Sequence, residues 1–333
     1  MKIALVTHRW TIHNCDPIPF GISLRAAELA DYGHELHVLT TPAENFPAGI
    51  HADRNVIVHR LQSQSGVNTE CFNDACADWC REHKPDVIHI DDPSLVNPWW
   101  QEFSKAKRVA TVHRLKFSSW VQAVNLRRAG HGEALGSYSV RDGYQEGADL
   151  KRLFDSVITT CRYDAWALSS LMGCESKVVY PPIRIDSIDS VSTLPVKQHW
   201  LCVSELWERE PADGVREAER AASLAGVQLQ SVKRSSTTGQ IVVYDECLGV
   251  ILPTFSTHLP LALAESLARR KPVIATSVGA VALEQLEGVA VVPSGDVQAM
   301  ANAMNNPPVV QEGAASRWHP KKHAADWLDV VMK

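Results

Sequence analysis

The sequence lacks long apolar runs and closely paired cysteines. No stretch of about 18 or more apolar residues occurs, which excludes a membrane-spanning helix. The first apolar residues are followed at once by His8 and Arg9, which argues against a signal peptide. The eight cysteines form no Cys-x-x-Cys pair, and a chain of 333 residues does not need disulfides to fold. We therefore expect a cytoplasmic protein with reduced thiols.

The chain also has little excess charge. Its net charge of -5 gives no global electrostatic attraction to nucleic acid or to an anionic membrane. With 45% hydrophobic and 21% charged residues, the composition excludes a disordered, collagen-like or mucin-like protein. The length predicts two domains of roughly 150 residues each.

Three potential metal ligands stand close together in the first half of the chain. Cys76, Cys80 and His83 are spaced i, i+4 and i+7 on one face of a predicted helix, which would suit zinc. Cysteines in such positions are more often small buried apolar residues, and this is the face on which the helix needs its core stripe. We favour the core interpretation.

Short apolar segments of strand length alternate with helical patterns in the first part of the chain. Residues 2–6 and 36–39 predict strands, and 22–32 predict the helix between them, ended by Gly33. Similar units follow, with strands at 56–58, 86–90, 109–112 and 156–160 and a helix at 73–83. Strands that are apolar throughout are covered on both faces, so a parallel, doubly wound sheet is expected.

The apolar pattern breaks at residues 185–198 and then restarts. We place a linker there, because polar residues, prolines and lysine replace the periodic apolar positions. Strands are predicted at 200–203, 227–229, 250–252, 273–275 and 289–292, and a helix at 214–224. The predicted fold is α/β, with Rossmann-like domains at 1–190 and 191–315, the second reduced, and a closing helix within 316–333. Two such sheets facing each other form a ligand-binding cleft at the carboxyl ends of their strands.

One stretch of the second half carries a specific motif. It reads Leu-Pro-Thr at 252–254, continues with residues 259–268 and 271–276, and ends in Val278-Gly279. Weaker matches extend over nearly the whole chain, at 33–35, 84–89, 109–113, 156–162, 178–182 and 293–296. In order and spacing the sequence resembles the retaining, nucleotide-sugar-dependent glycosyltransferases of GT-B fold, also called glycosyltransferase family four. The resemblance implies transfer of a sugar from a nucleoside diphosphate to a hydroxyl acceptor, with retention and with no metal or other cofactor.

The resemblance also implies roles for individual residues. Glu265 matches the carboxylate that accepts hydrogen bonds from the ribose diol, and Pro260 and Leu261 belong to the same donor-binding motif. Gly21 matches the loop at a helix N-terminus whose N–H groups approach the diphosphate. His113 matches the histidine that faces the reacting sugar. Without the resemblance, each residue has an ordinary structural explanation: Glu265 as a solvated or capping glutamate, Gly21 as a turn glycine and His113 as a core histidine.

Several positions depart from the family pattern. Thr257 stands where the family has the first glutamate of Glu-x7-Glu, which touches the donor sugar, and Ser204-Glu205 replaces its Gly-Arg pair. Arg209 is the nearest counterpart of the following lysine. Because a departing diphosphate needs positive charge beside it, other cations must replace these residues in an active enzyme. The candidates are Arg9, Arg162, Arg184, Lys233 and Arg234.

These departures keep two alternatives open. A non-catalytic descendant would keep the fold and bind a glycan, a nucleotide or a partner protein; Thr257 and Glu205 favour it. A nucleotide-sugar epimerase of the same architecture would need a further acid/base set, which the sequence does not identify.

A basic, acid-free segment covers residues 103–132. Seven lysines and arginines lie there, interleaved with or flanked by aromatic residues. Such a mixture attracts an anionic polymer or a lipid surface, so the segment predicts an anionic acceptor, either lipid or lipid-linked or alternatively nucleic acid, with peripheral membrane contact. An ordinary solvated face with buried aromatics explains the pattern equally well. The candidate acceptor residues are Arg114, Lys116, Trp120, Arg127 and Arg128.

Overall fold

The structure of the chain is a computed structural model. It describes residues 1–8, 10, 17–42, 48–53, 55–61, 69–91, 95, 97–113, 115, 121, 124–125, 127–128, 140–183, 196–204, 213–233, 239–255 and 259–333. None of the helices in these ranges is long and apolar enough to cross a bilayer.

The first half of the chain forms an eight-stranded sheet in the order β3-β4-β2-β1-β5-β6-β7-β8. All neighbouring strands are parallel except β3, which runs antiparallel to β4 at the edge. The strands are β1 (Lys2–Val6), β2 (Glu35–Thr40), β3 (Gly49–Asp53), β4 (Val56–Arg60), β5 (Val87–Ile90), β6 (Lys107–Val112), β7 (Ser156–Thr159) and β8 (Lys177–Val178).

Helices cover both faces of this sheet. They are α1 (Pro17–Asp31), α2 (Thr69–His83), α3 (Val140–Leu153) and α4 (Arg162–Met172), with a 3-10 turn at Pro98–Glu102. Alternate residues of one strand point to opposite faces, and β1 shows this directly: Ala4 and Val6 join the core under α2 and α3, whereas Ile3 and Leu5 join the core under α1. Burial on both faces is the reason that β1 is apolar from Ile3 to Val6.

The second half forms a smaller parallel sheet of five strands, ordered β10-β9-β11-β12-β13. Its strands are β9 (His199–Ser204), β10 (Gln228–Lys233), β11 (Gly249–Leu252), β12 (Val273–Thr276) and β13 (Val289–Val292). Its helices are α5 (Val215–Ala225), α6 (Gly239–Glu246), α7 (Leu261–Ala268), α8 (Ala280–Glu284) and α9 (Val297–Asn305).

The end of the chain returns to the first sheet. After a 3-10 turn at Ser316–Trp318, helix α10 (Pro320–Met332) packs its buried residues Ala324, Trp327 and Val331 into the core beneath α1. The sequence predicts a helix here but not the sheet that it covers. The segment predicted as a closing helix, 316–333, is interrupted at His319, an extended residue whose side chain caps α10 by accepting from the N–H of Lys321.

The predicted fold class, two parallel α/β units with the second one smaller, is confirmed. Helix α1 begins at Pro17, five residues before the predicted start, and the edge strand β3 was not anticipated. Most of the predicted linker, namely residues 185–195, lies outside the described residues.

The cysteines considered for zinc lie in the core. Cys76 and Cys80 are buried against the first sheet, and burial raises the pKa of both thiols, that of Cys80 to about 12. Zinc binds thiolates, which are disfavoured in this environment. Within the described ranges no group of three histidine, cysteine or acidic side chains is arranged to hold a metal ion.

Candidate active site

The carboxyl ends of the two sheets meet at a small apolar cluster. Cys161 and Tyr163 stand at the start of α4, directly after β7 of the first sheet, and Ala280 begins α8, directly after β12 of the second. Leu259, just before α7, packs against the same cluster. Parallel sheets bind ligands at the carboxyl ends of their strands, so this contact, called the junction below, marks one wall of the expected cleft.

A buried carboxylate ties the two halves together at the junction. The side chain of Glu284, at the end of α8, is 0% exposed. Its Oε1 accepts from the backbone N–H of Arg162 at 2.8 Å, and its Oε2 accepts from the Tyr180 hydroxyl at 2.5 Å and from the Arg317 guanidinium at 3.3 Å. Helix α4 has no side-chain cap of its own at Cys161, so Glu284 serves as its N-terminal anion from across the cleft.

Arg162 is the predicted cation that the structure places at the junction. Its backbone N–H is held by Glu284, but its side chain is 55% exposed, and its Nε lies 3.9 Å from a Glu284 oxygen. The side chain therefore reaches into solvent at the junction. Lys233 ends β10, and its side chain is not described; the candidates Arg9, Arg184, Arg209 and Arg234 lie outside the described residues.

A second arginine at the junction was missed by the sequence analysis. Arg317 bonds Glu284, and its guanidinium lies over the rings of Tyr180 and Trp318, 5.3 and 5.5 Å from their centres. It follows α9 and lies far along the chain from every motif residue. No local pattern in the sequence identifies it, because its position depends on how the chain leaves the second sheet.

Glu265 lies in the second turn of α7. Its Oε2 accepts a hydrogen bond from the hydroxyl of Tyr244, a buried residue of α6, at 3.0 Å. Pro260 is the extended N-cap residue of α7, and Leu261 is its first helical residue. Thr257, the predicted donor-sugar contact, lies outside the described residues.

Gly21 is placed differently from the prediction. It lies within α1 rather than in the loop before it, so its N–H points to the carbonyl four residues back and is not a free N-terminal donor. A Cβ at this position would stand 3.7 Å from Cδ of Pro182, which is ordinary contact. The predicted use of the Gly21 N–H is therefore wrong in its local geometry; the helix starts earlier than the glycine suggests.

His113 follows β6 and is paired with a carboxylate that the sequence analysis did not single out. Its Nε2 lies 3.2 Å from Oδ1 of Asp91, which follows the neighbouring strand β5. The His113 side chain is 15% exposed, and that of Asp91 is fully buried. Burial alone would raise the pKa of Asp91, but Arg25 and the His113 hydrogen bond outweigh it and hold the pKa well below its usual range. Asp91 is therefore an anion at neutral pH.

Part of the predicted acceptor segment is visible. Arg127 and Arg128 are helical and exposed, whereas Arg114, Lys116 and Trp120 lie outside the described residues. The structure therefore places Arg162 and Leu259, which precedes α7, at the junction, and it places Glu265 in the second turn of α7. His113 lies at the carboxyl edge of the first sheet.

Comparison with known proteins identifies the class of this architecture. Residues 25–187 match the family described as Glycosyltransferase Family 4, and residues 213–306 match Glycosyl transferases group 1. No curated protein matches the chain significantly in sequence.

Solved structures share the whole fold. A sucrose-phosphate synthase from Thermosynechococcus elongatus has a TM-score of 0.70 at 16% identity, covering 99% of this chain and 94% of that one. HepE of Anabaena, solved with UDP and glucose, has a TM-score of 0.69 at 12% identity, covering 100% of both chains. The catalytic domain of starch synthase IV from Arabidopsis thaliana, bound to ADP and acarbose, has a TM-score of 0.64 at 11% identity, covering 99% of this chain and 94% of that one.

Two parallel sheets that meet at their carboxyl ends, with a final helix returning to the first, define a GT-B fold. With both family matches in the expected order, the chain belongs to the glycosyltransferases related to family four.

Proposed function

We propose that the protein transfers a sugar from a nucleoside diphosphate to a hydroxyl acceptor, with retention at the sugar carbon and without a metal ion. The observation that carries the proposal is the junction, where Cys161 and Tyr163 of the first half pack against Leu259 and Ala280 of the second. It brings the start of α4 close to the start of the motif helix α7. The nucleotides bound in the structures of HepE and starch synthase IV support a nucleotide donor.

Each part of the donor then has a protein group of suitable chemistry. Glu265 accepts from the ribose hydroxyls, and Pro260 and Leu261 set the start of its helix at the cleft. Arg162 supplies the positive charge that the diphosphate needs as it departs. His113 contacts the reacting sugar, and Thr257 occupies the motif position that the family uses to contact the donor sugar.

Nucleotide binding at Glu265 is tested by thermal shift with UDP, ADP, GDP and their glucose derivatives. One of these compounds should stabilise the protein, because a ligand at 100 times its dissociation constant adds about 2.7 kcal/mol to the native state. Glu265→Ala should abolish the shift, since the ribose loses its acceptor. Glu219→Ala, on the exposed face of α5, removes the same charge elsewhere and should leave the shift unchanged.

Two outcomes would count against the proposal, one against the ribose site and one against the transferase activity. If Glu265→Ala binds as well as the wild type, the ribose site is elsewhere. If a nucleotide sugar binds but is never cleaved, the non-catalytic alternative replaces the transferase.

For the acceptor, we propose an anionic lipid or lipid-linked molecule held by the basic segment. The exposure of both Arg127 and Arg128 supports this proposal. Retention on anionic liposomes should fall steeply with salt, because each phosphate contact lowers log K by nearly one per decade of salt.

Replacing Arg127 and Arg128 by serine should therefore weaken liposome retention. It should also reduce the slope of log K against log salt by about two, one for each lost contact. Replacing Arg216 and Arg220, two exposed arginines of α5, by serine is the matched control and should change neither. Equal losses in both variants would mean that only net charge matters. Stronger retention on nucleic acid than on liposomes would instead favour a nucleic-acid acceptor.

A further inference from the structure

A buried polar cluster lies directly behind His113. It joins Arg25 of α1 and His89 of β5 to Asp91, and it includes His323 and Trp327 of the closing helix α10. The motif analysis assigned no role to any of these five residues. All of them are buried.

The hydrogen bonds define the protonation of the two buried histidines. His323 Nδ1 lies 2.6 Å from the carbonyl oxygen of Tyr180, which can only accept, so Nδ1 carries the hydrogen. Its Nε2 is then the acceptor for Nε–H of Arg25, at 2.8 Å. Burial lowers the pKa of His323 to about 3, so it is neutral at physiological pH.

His89 has the opposite tautomer. The indole N–H of Trp327, which can only donate, lies 3.1 Å from His89 Nδ1, so His89 Nε2 carries the hydrogen and bonds the Thr111 hydroxyl at 2.7 Å. Burial, with Arg25 adding to it, lowers the pKa of His89 to about 3. The charges of the cluster at neutral pH are therefore Arg25, positive, and Asp91, negative.

One oxygen of Asp91 contacts both Arg25 and His113. Its Oδ1 accepts from the Arg25 guanidinium at 3.2 Å, and Arg25 is itself fixed by His323. The same Oδ1 lies 3.2 Å from His113 Nε2. Because an ionised carboxylate only accepts, His113 must present Nε2–H to it, and in the neutral form of the ring Nδ1 then keeps its lone pair.

We propose that Asp91 is a positioning residue for His113: it fixes the neutral imidazole as the Nε2–H tautomer and so makes Nδ1 a hydrogen-bond acceptor for the sugar. Asp91 is fully buried, so it can act on a sugar in the cleft only through His113. Arg25 and the closing helix orient the carboxylate. The role of this acceptor rests on the proposed function, but the tautomer does not.

The test removes the carboxylate without leaving a buried charge unpaired. The variant R25M/D91L replaces both members of the ion pair by apolar side chains, a change that buried pairs often tolerate. The matched variant R25M/D91N removes the same two charges but keeps an oxygen acceptor at residue 91. R25Q/D91A, smaller at both positions, serves if R25M/D91L does not fold.

Proton–nitrogen correlation NMR of the histidine rings reports the tautomer, with His113→Gln identifying the His113 signals. We expect the Nε2–H form to dominate in the wild type and in R25M/D91N, and comparable amounts of both neutral forms in R25M/D91L. If the ratio of the two neutral tautomers of His113 in R25M/D91L equals that in the wild type, the proposal is overturned. The spectra of each variant are compared at a pH above which the His113 signals no longer change, so that the neutral forms are compared.

A kinetic measurement separates this proposal from the proposed function. Release of UDP from UDP-glucose or of ADP from ADP-glucose should have a kcat at least tenfold lower in R25M/D91L, with KM changed by less than about twofold, because the loss affects the reacting sugar rather than the nucleotide. R25M/D91N should recover most of the rate. If the wild type cleaves neither compound, the proposed function fails for these donors, and the NMR result still decides the role of Asp91.

Discussion

Replacing Trp327 by alanine should lower the free energy of unfolding by about 3–5 kcal/mol, the usual cost of removing a large buried aromatic side chain. Trp327 is 0% exposed and packs with α1 and the strands of the first sheet. Its indole N–H also donates to His89. The substitution leaves a cavity and removes a buried hydrogen bond in one step, so the effect should lie in the upper part of this range.

Urea unfolding followed by circular dichroism measures the effect. Trp166→Ala is the matched control, because Trp166 lies on α4 with its side chain about half exposed, and its loss should cost less than about 1 kcal/mol. Equal, small effects of the two substitutions would contradict the packing of α10 against the first sheet.

Replacing Arg162 by alanine should slow cleavage of the nucleotide sugar by at least tenfold, which is about 1.4 kcal/mol of transition-state stabilisation. The guanidinium is the described candidate cation at the junction, and developing charge on a diphosphate depends strongly on such a group. Alanine keeps the backbone N–H that bonds Glu284, so the anchor between the two sheets is retained. The variant thus separates the charge of Arg162 from its structural role.

Steady-state release of the nucleoside diphosphate is the measurement. Arg152→Ala on α3, which removes a half-exposed arginine paired with the neighbouring Asp149, should leave kcat unchanged. Arg162→Lys should retain part of the rate, because lysine keeps the positive charge but lacks the planar guanidinium group with its several N–H donors. Turnover that is the same with and without Arg162 would assign the diphosphate charge to another residue.

The strands were predictable where the sequence carries a dense local signal. Strands β1, β11 and β12 contain continuous apolar runs, at 3–6, 250–252 and 273–275, and strands buried on both faces leave that signature. Strand β3 has no such run and is largely exposed. It forms because it pairs antiparallel with β4, and the local sequence of an edge strand does not show which strand it will pair with. The early start of α1 was missed because Gly21 suggested a boundary.

The sequence by itself determined the α/β class, the order of the units and the motif around Glu265, since these follow from periodicity and spacing along the chain. The tertiary structure alone decided which side chains face each other. Arg25 meets His323 across 298 positions, and Arg162 meets Glu284 across 122. Such contacts depend on the crossing of α10 to the first sheet and on the junction of the two carboxyl edges. No local pattern records them, because a buried charge is stabilised by whichever partner the packing brings near, whatever its distance along the chain.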